Sequence, residues 1–225
     1  MEINSHILSS FNDDLELIKK HLVEMVKVVE DSLVSSQEAL VKGDIAACKE
    51  IIADDDLIDD TERLIENLAM NTLLRYNPVA SDLRFVVSSI SIAKTLERIG
   101  DHASNIAKST RKIYKTEVMN LDLEYIAALY TMAMEQFECV KKAIITNDIK
   151  YAEKCLEEEE SMRKSAKKIS KIFEKMMNDE ATEVSSYLNL VLIARSVERI
   201  SKLSCNVSED IIYIETAQNI RETES

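Results

Sequence analysis

Leu96-Glu97-Arg98-Ile99-Gly100-Asp101-His102-Ala103-Ser104-Asn105-Ile106-Ala107 is the stretch on which the reading of this chain turns. A diverged copy stands 101 residues later, as Val197-Glu198-Arg199-Ile200-Ser201-Lys202-Leu203-Ser204-Cys205-Asn206-Val207-Ser208. The pair marks an internal duplication. Both copies carry a heptad-like apolar stripe: Ile92, Leu96, Ile99, Ala103 and Ile106 in one, and Ile193, Val197, Ile200, Ser204 and Val207 in the other. Steps of four and three put each stripe on one helix face, turned toward a bundle core.

Working outward, the chain has 225 residues with 2 glycines, 1 proline and no tryptophan, and 46% of it is hydrophobic. So few helix breakers predict long helices and short turns, an all-α chain without a sheet. Six helices are expected, over 7–42, 44–76, 80–117, 121–146, 148–178 and 181–219. Asp44 and Asp148 are expected N-caps, Ser81 a further one beyond Pro78. Asn178-Asp179 makes the matching turn in the second half, and Met119-Asn120 joins the halves. The fold expected is two pseudo-symmetric antiparallel three-helix bundles, over 1–117 and 118–225.

No apolar run approaches the ~20 residues that span a bilayer, and the first residues show no secretory signal pattern. A cytoplasmic protein is expected. The net charge of −13 opposes nucleic acid and anionic membranes. Cys48, Cys139, Cys155 and Cys205 are far apart and read as reduced thiols packed between helices.

The acidic residues carry the functional argument. Glu97 and Asp101, four apart, share a helix face, as do Asp55 and Asp59 on the preceding helix. In an antiparallel hairpin folded at Pro78, Asp59 lies level with Glu97, and Asp55 with Asp101, roughly 28 Å from the turn at 1.5 Å per residue. Four carboxylates at one level repel. Protons, solvent separation or cations can relieve this. All-oxygen donors suit hard or borderline ions such as Mg, Mn, Ca or ferric iron. Two solvated acidic faces, enriched by Asp54, Asp56 and Asp60, fit the same pattern.

In the second half the corresponding residues are Glu159, Arg163, Glu198 and Lys202. Two acids have become bases, each facing an acid. The pairs Glu159–Lys202 and Arg163–Glu198 are expected as salt bridges in place of a metal site. Gly100 and its counterpart Ser201 suggest close helix approach. His102 lies one position off the Glu97–Asp101 face. Arg98 and Arg199 are either partner-binding or ordinary surface charges.

Other chemistry is missing from the sequence. There is no glycine-rich phosphate loop and no His-Glu-x-x-His. The Glu-x-x-His of di-iron bundles is absent, and no Ser or Cys nucleophile has a recognisable base. No enzyme activity is expected, and no phosphate pocket is visible.

Asp55-Asp56-Leu57-Ile58-Asp59, Asn77-Pro78-Val79-Ala80-Ser81-Asp82-Leu83-Arg84 and Leu96 to Ala107, in this order and spacing, resemble the PhoU family. Glu209-Asp210-Ile211-Ile212-Tyr213 is similar to the end of that family's second repeat. The resemblance implies two three-helix bundles and metal ions (Fe, Zn, Mn or Mg) at the acidic motifs. Here those are Asp55, Asp59, Glu97 and Asp101. It also implies a homodimer and a role as adaptor between a phosphate ABC transporter ATPase and a sensor histidine kinase. Such an adaptor restrains uptake and keeps the starvation response off when phosphate is plentiful, with the phosphate signal arriving through the transporter. Arg84 and Arg98 are candidate partner contacts. Arg163, Lys202, Leu203 and Ser204 depart from the family pattern, so one metal cluster is expected rather than two. A metal-storage bundle and a regulator of a different transporter remain as alternatives.

Overall fold

The computed structural model describes residues 2–115, 123–179 and 184–220. Seven helices follow one another: α1 (Glu2–Lys42), α2 (Ile45–Tyr76), α3 (Ala80–Lys115), α4 (Glu124–Thr146), α5 (Ile149–Glu157), α6 (Glu159–Asp179) and α7 (Val184–Thr216). The described residues contain no strand, and no described helix is long and apolar enough to cross a membrane.

The turns have local causes. Asp44 accepts hydrogen bonds from the amides of Ala46 and Ala47 at 2.9 and 3.0 Å, satisfying donors left free at the start of α2. Gly43 before it has φ +68, and a Cβ there would lie 2.7 Å from the Tyr114 ring. Conformation and space both call for glycine. Asn77 and Asn147 end α2 and α4 in left-handed conformations, their amides bonded to the carbonyls of Leu73 and Ala143. Asp148 caps α5 through the Lys150 amide at 3.0 Å.

Several boundaries differ from expectation. The fifth expected helix is divided at Glu158, the one non-helical residue between α5 and α6. The division puts Glu159 and Glu160 in the first turn of a new helix, where the helix dipole favours carboxylates. Ser81 is not a cap but lies inside α3, which starts at Ala80. α1 extends back to Glu2. α7 stops at Thr216, before the left-handed Ala217. The Met119-Asn120 junction lies outside the described residues. Asn178 and Asp179, expected to make the second-half turn, instead continue α6 to its end at Asp179, since both residue types are tolerated in a helix; residues 180–183 lie outside the described residues.

Both apolar stripes are buried: Ile92, Leu96, Ile99, Ala103, Ile106, Ile193, Val197, Ile200 and Val207 are each at most 2% exposed. They belong to one continuous core cluster that draws on both halves. The most extensive pairing of the molecule is α3 with α7, across the halves. These helices run antiparallel. Arg84 Nε donates to the Ile214 carbonyl at 3.1 Å and Ser91 Oγ to Asp210 at 2.7 Å, so early α3 meets late α7. α1 and α4 are tied by the buried Tyr130 hydroxyl, which donates to the Leu33 carbonyl at 2.9 Å and sits 2.6 Å from Ser36 Oγ. All four cysteines are buried and free.

Candidate functional site

The acidic group stands on the facing flanks of α2 and α3. Asp55, Asp59 and Glu97 are half-buried and Asp101 is exposed. The register inferred from Pro78 is visible in the electrostatics. After burial, the charge that most raises the Asp55 carboxyl above its ordinary value is Asp101, while the Ser104 hydroxyl and Lys108 oppose the shift. Glu97 is pushed up to about 7, by burial first and then by Asp101, Asp59, Glu62 and Asp55. Crowded, partly desolvated carboxylates resist ionising together.

Gly100 brings the two helices together between these acids. A Cβ there would lie 2.7 Å from Ile58 Cδ1 and 3.8 Å from Asp55 Oδ1. Gly100→Leu is expected to destabilise the protein by about 1–3 kcal/mol through overpacking, with part of the loss recovered by Ile58→Ala. Equal urea midpoints for wild type and Gly100→Leu would overturn this.

Among the described residues, no three His, Cys, Asp or Glu side chains are arranged to hold one metal ion. The carboxylates share a face rather than a single point. Their chemistry fits a hard cation, whose charge would relieve the repulsion on Glu97. His102 is half-buried, and its Nδ1 is buried without a hydrogen-bond partner. Burial lowers its pKa, Asp101 opposes that, and Arg199 and Arg98 reinforce it. Arg199 of α7 thus lies within electrostatic reach of His102 on α3.

Two residues alter the expected picture. Glu62 belongs with the acidic group, and its place three residues beyond Asp59 on the same helix was the available signal. Arg84 lies against the end of α7 through its bond to Ile214, an internal role beside the partner contact expected of it.

In the second half, Lys202 Nζ meets Glu159 Oε1 at 2.7 Å, as expected. The second expected bridge does not form. Arg163 binds Glu160 instead, with Nε 2.8 Å and Nη2 2.7 Å from Glu160 Oε2. Glu160 is one helical turn away on the same helix, so the pairing needs no reach across to Glu198.

The PhoU domain model matches this chain twice, over residues 22–110 and 126–211. The chain belongs to the PhoU family. It is 29% identical over 223 residues to the phosphate-specific transport system accessory protein PhoU homolog of Rhizobium meliloti, covering 95% of this chain and 90% of that protein. With PhoU homolog 1 of Thermotoga maritima the identity is 27%, covering 94% of this chain and 91% of that protein. The crystal structure of PhoU from Pseudomonas aeruginosa superimposes with a TM-score of 0.89 at 25% identity, covering 92% of this chain and all of that one.

Proposed function

We propose that this PhoU-family protein is a non-enzymatic regulator of phosphate uptake and phosphate-starvation signalling. It acts as an adaptor between the ATPase of a phosphate ABC transporter and a sensor histidine kinase. The observation that carries this reading is similarity along nearly the whole chain, both repeats included, to proteins named as accessory to phosphate-specific transport. The acidic face of the first repeat serves docking. Asp55, Asp59, Glu97 and Asp101 would hold one or more hard metal ions there. A bound cation would supply positive charge, cancelling repulsion among the carboxylates and joining them to anionic groups of a partner. The chain's own contribution is to gather those carboxylates by the close approach at Gly100 and to keep Glu97 poised near neutrality.

The test is deletion of the gene in its native host, with phosphate uptake measured in phosphate-rich medium. Uptake is expected to escape restraint and the starvation response to switch on. Unchanged uptake in the deletion strain, together with failure of the purified protein to retain the transporter ATPase in a pull-down, would overturn the proposal.

A further inference from the structure

The loss of acids in the second repeat leaves more than a repaired repulsion. Between α6 and α7 lies an open cavity of about 370 Å³, lined by Arg163, Arg195, Arg199, Lys202, Glu159 and Glu198, with Met162 and Ser201 also at its wall. Four cations thus line one concavity in a protein whose net charge is −13. From these residues we propose that this cavity binds a small, soluble, phosphate-bearing anion.

In the first repeat, α2 presents Asp59, Glu62 and Glu66 to α3, and Lys94 of α3 is neutralised by Glu66 at 2.9 Å. The offset that relates Asp55 to Glu159 relates these three acids to Arg163, Ala166 and Ser170. The partner helix has lost all three carboxylates. Arg195 stands where Lys94 stood, and the acid that would have neutralised it is now Ser170, whose hydroxyl bonds to the Ala166 carbonyl of its own helix at 3.0 Å. Neither Arg195 nor Arg199 has an ion-pair or hydrogen-bond partner among the described residues.

The two arginines are four residues apart, so they share a face of α7. Lys202 is held by Glu159, and Arg163 by Glu160. Glu198, between the arginines in sequence, is the cavity carboxylate without a basic partner. An entering anion therefore meets two free guanidinium groups, whose planar donor forks match phosphoryl oxygens. The volume is at the lower end of small-molecule sites and suits a phosphorylated metabolite or pyrophosphate. The concave shape and the overall negative charge disfavour a flat anionic membrane. The inference does not depend on the regulatory role proposed above.

The full-length protein would be titrated calorimetrically with inorganic phosphate, pyrophosphate and adenosine diphosphate. A chelator keeps cations on the acidic face from recruiting the anion. At least one of the three is expected to bind. Arg195→Gln/Arg199→Gln is expected to weaken it tenfold or more, Arg199→Lys much less, and Asp55→Asn not at all. Both arginines are exposed, and an unchanged circular-dichroism melt confirms that the variants are folded. Absence of binding by all three anions, equal affinity of the double variant, or binding only to phosphatidylglycerol vesicles would overturn the proposal.

Discussion

Truncating Ile200 to alanine is expected to lower the unfolding free energy by about 2–5 kcal/mol, and both repeats should lose that stability together. Ile200 is fully buried on α7, in a core cluster that also holds Ile99 and Leu96 of α3. Independent bundles would each bury a private core and meet through a polar, smaller interface. Here the most extensive helix pairing joins one repeat to the other. Polar ties at Arg84–Ile214 and Ser91–Asp210 extend it along the α3–α7 seam, while Tyr130–Ser36 joins α4 to α1. Removing either repeat would expose a long apolar face of the other. The chain has no tryptophan, so Tyr76→Trp and Tyr125→Trp backgrounds report on the first and second repeats separately. In urea the two probes should give one coincident transition, displaced equally by Ile200→Ala. Two separate transitions, with Ile200→Ala shifting only the Tyr125→Trp signal, would show that the repeats fold as independent domains.

What was legible in the sequence was what depends on local periodicity and on symmetry about a turn. The stripes through Leu96 and Val197 told which faces are buried, since a helix repeats its exposure every three to four residues. The equal distances of Asp55 and Asp101 from Pro78 told that they lie level, and the raised carboxyls of Asp55 and Glu97 agree. A stripe does not name its neighbour, however. The antiparallel embrace of α3 and α7 across the duplication emerged only from contacts such as Ser91–Asp210. The division at Glu158 was hidden because every residue from Ile149 to Asp179 except Asn178 and Asp179 is an ordinary helix former or a tolerable one. Placing Glu159 and Glu160 at a helix start is a gain visible only once the break exists. Arg163 departs from its expected partner for a related reason: Glu160, on the same helix, competes with Glu198 for the guanidinium at lower conformational cost. The basic cavity is not legible from Arg163 and Lys202 alone, because each base has an acid in reach; it depends on the further loss of the Glu62 and Glu66 counterparts at Ala166 and Ser170.

Glu97→Gln is expected to change two dependences on pH at once. The carboxyl of Glu97 has its pKa raised from 4.5 to about 7 in the folded protein. The folded state therefore holds this proton more tightly than the unfolded chain does. By linkage, the stability contributed by the neutral acid is fully present below about 4.5 and is lost as pH rises through about 7. Asp55 is shifted in the same direction and adds to the slope. A cation competes with the proton for these oxygens, so Mn(II) should bind more tightly, and raise the melting temperature further, at pH 8 than at pH 6. Replacing Glu97 by the neutral, near-isosteric glutamine removes the repulsion without opening a cavity. The variant should be more stable than wild type at pH 8, less sensitive to pH between 5 and 7, and weaker for Mn(II) at pH 8 by about tenfold or more, a loss of about 1.4 kcal/mol in binding. Glu198→Gln, at the same position of the basic repeat, should leave Mn(II) affinity unchanged. Calorimetric titration and thermal melts at the two pH values separate the possibilities. A pH slope that survives in Glu97→Gln would mean that other groups set it. Mn(II) binding equal in Glu97→Gln and wild type would mean that the carboxylates of α2 and α3 repel one another without sharing a metal.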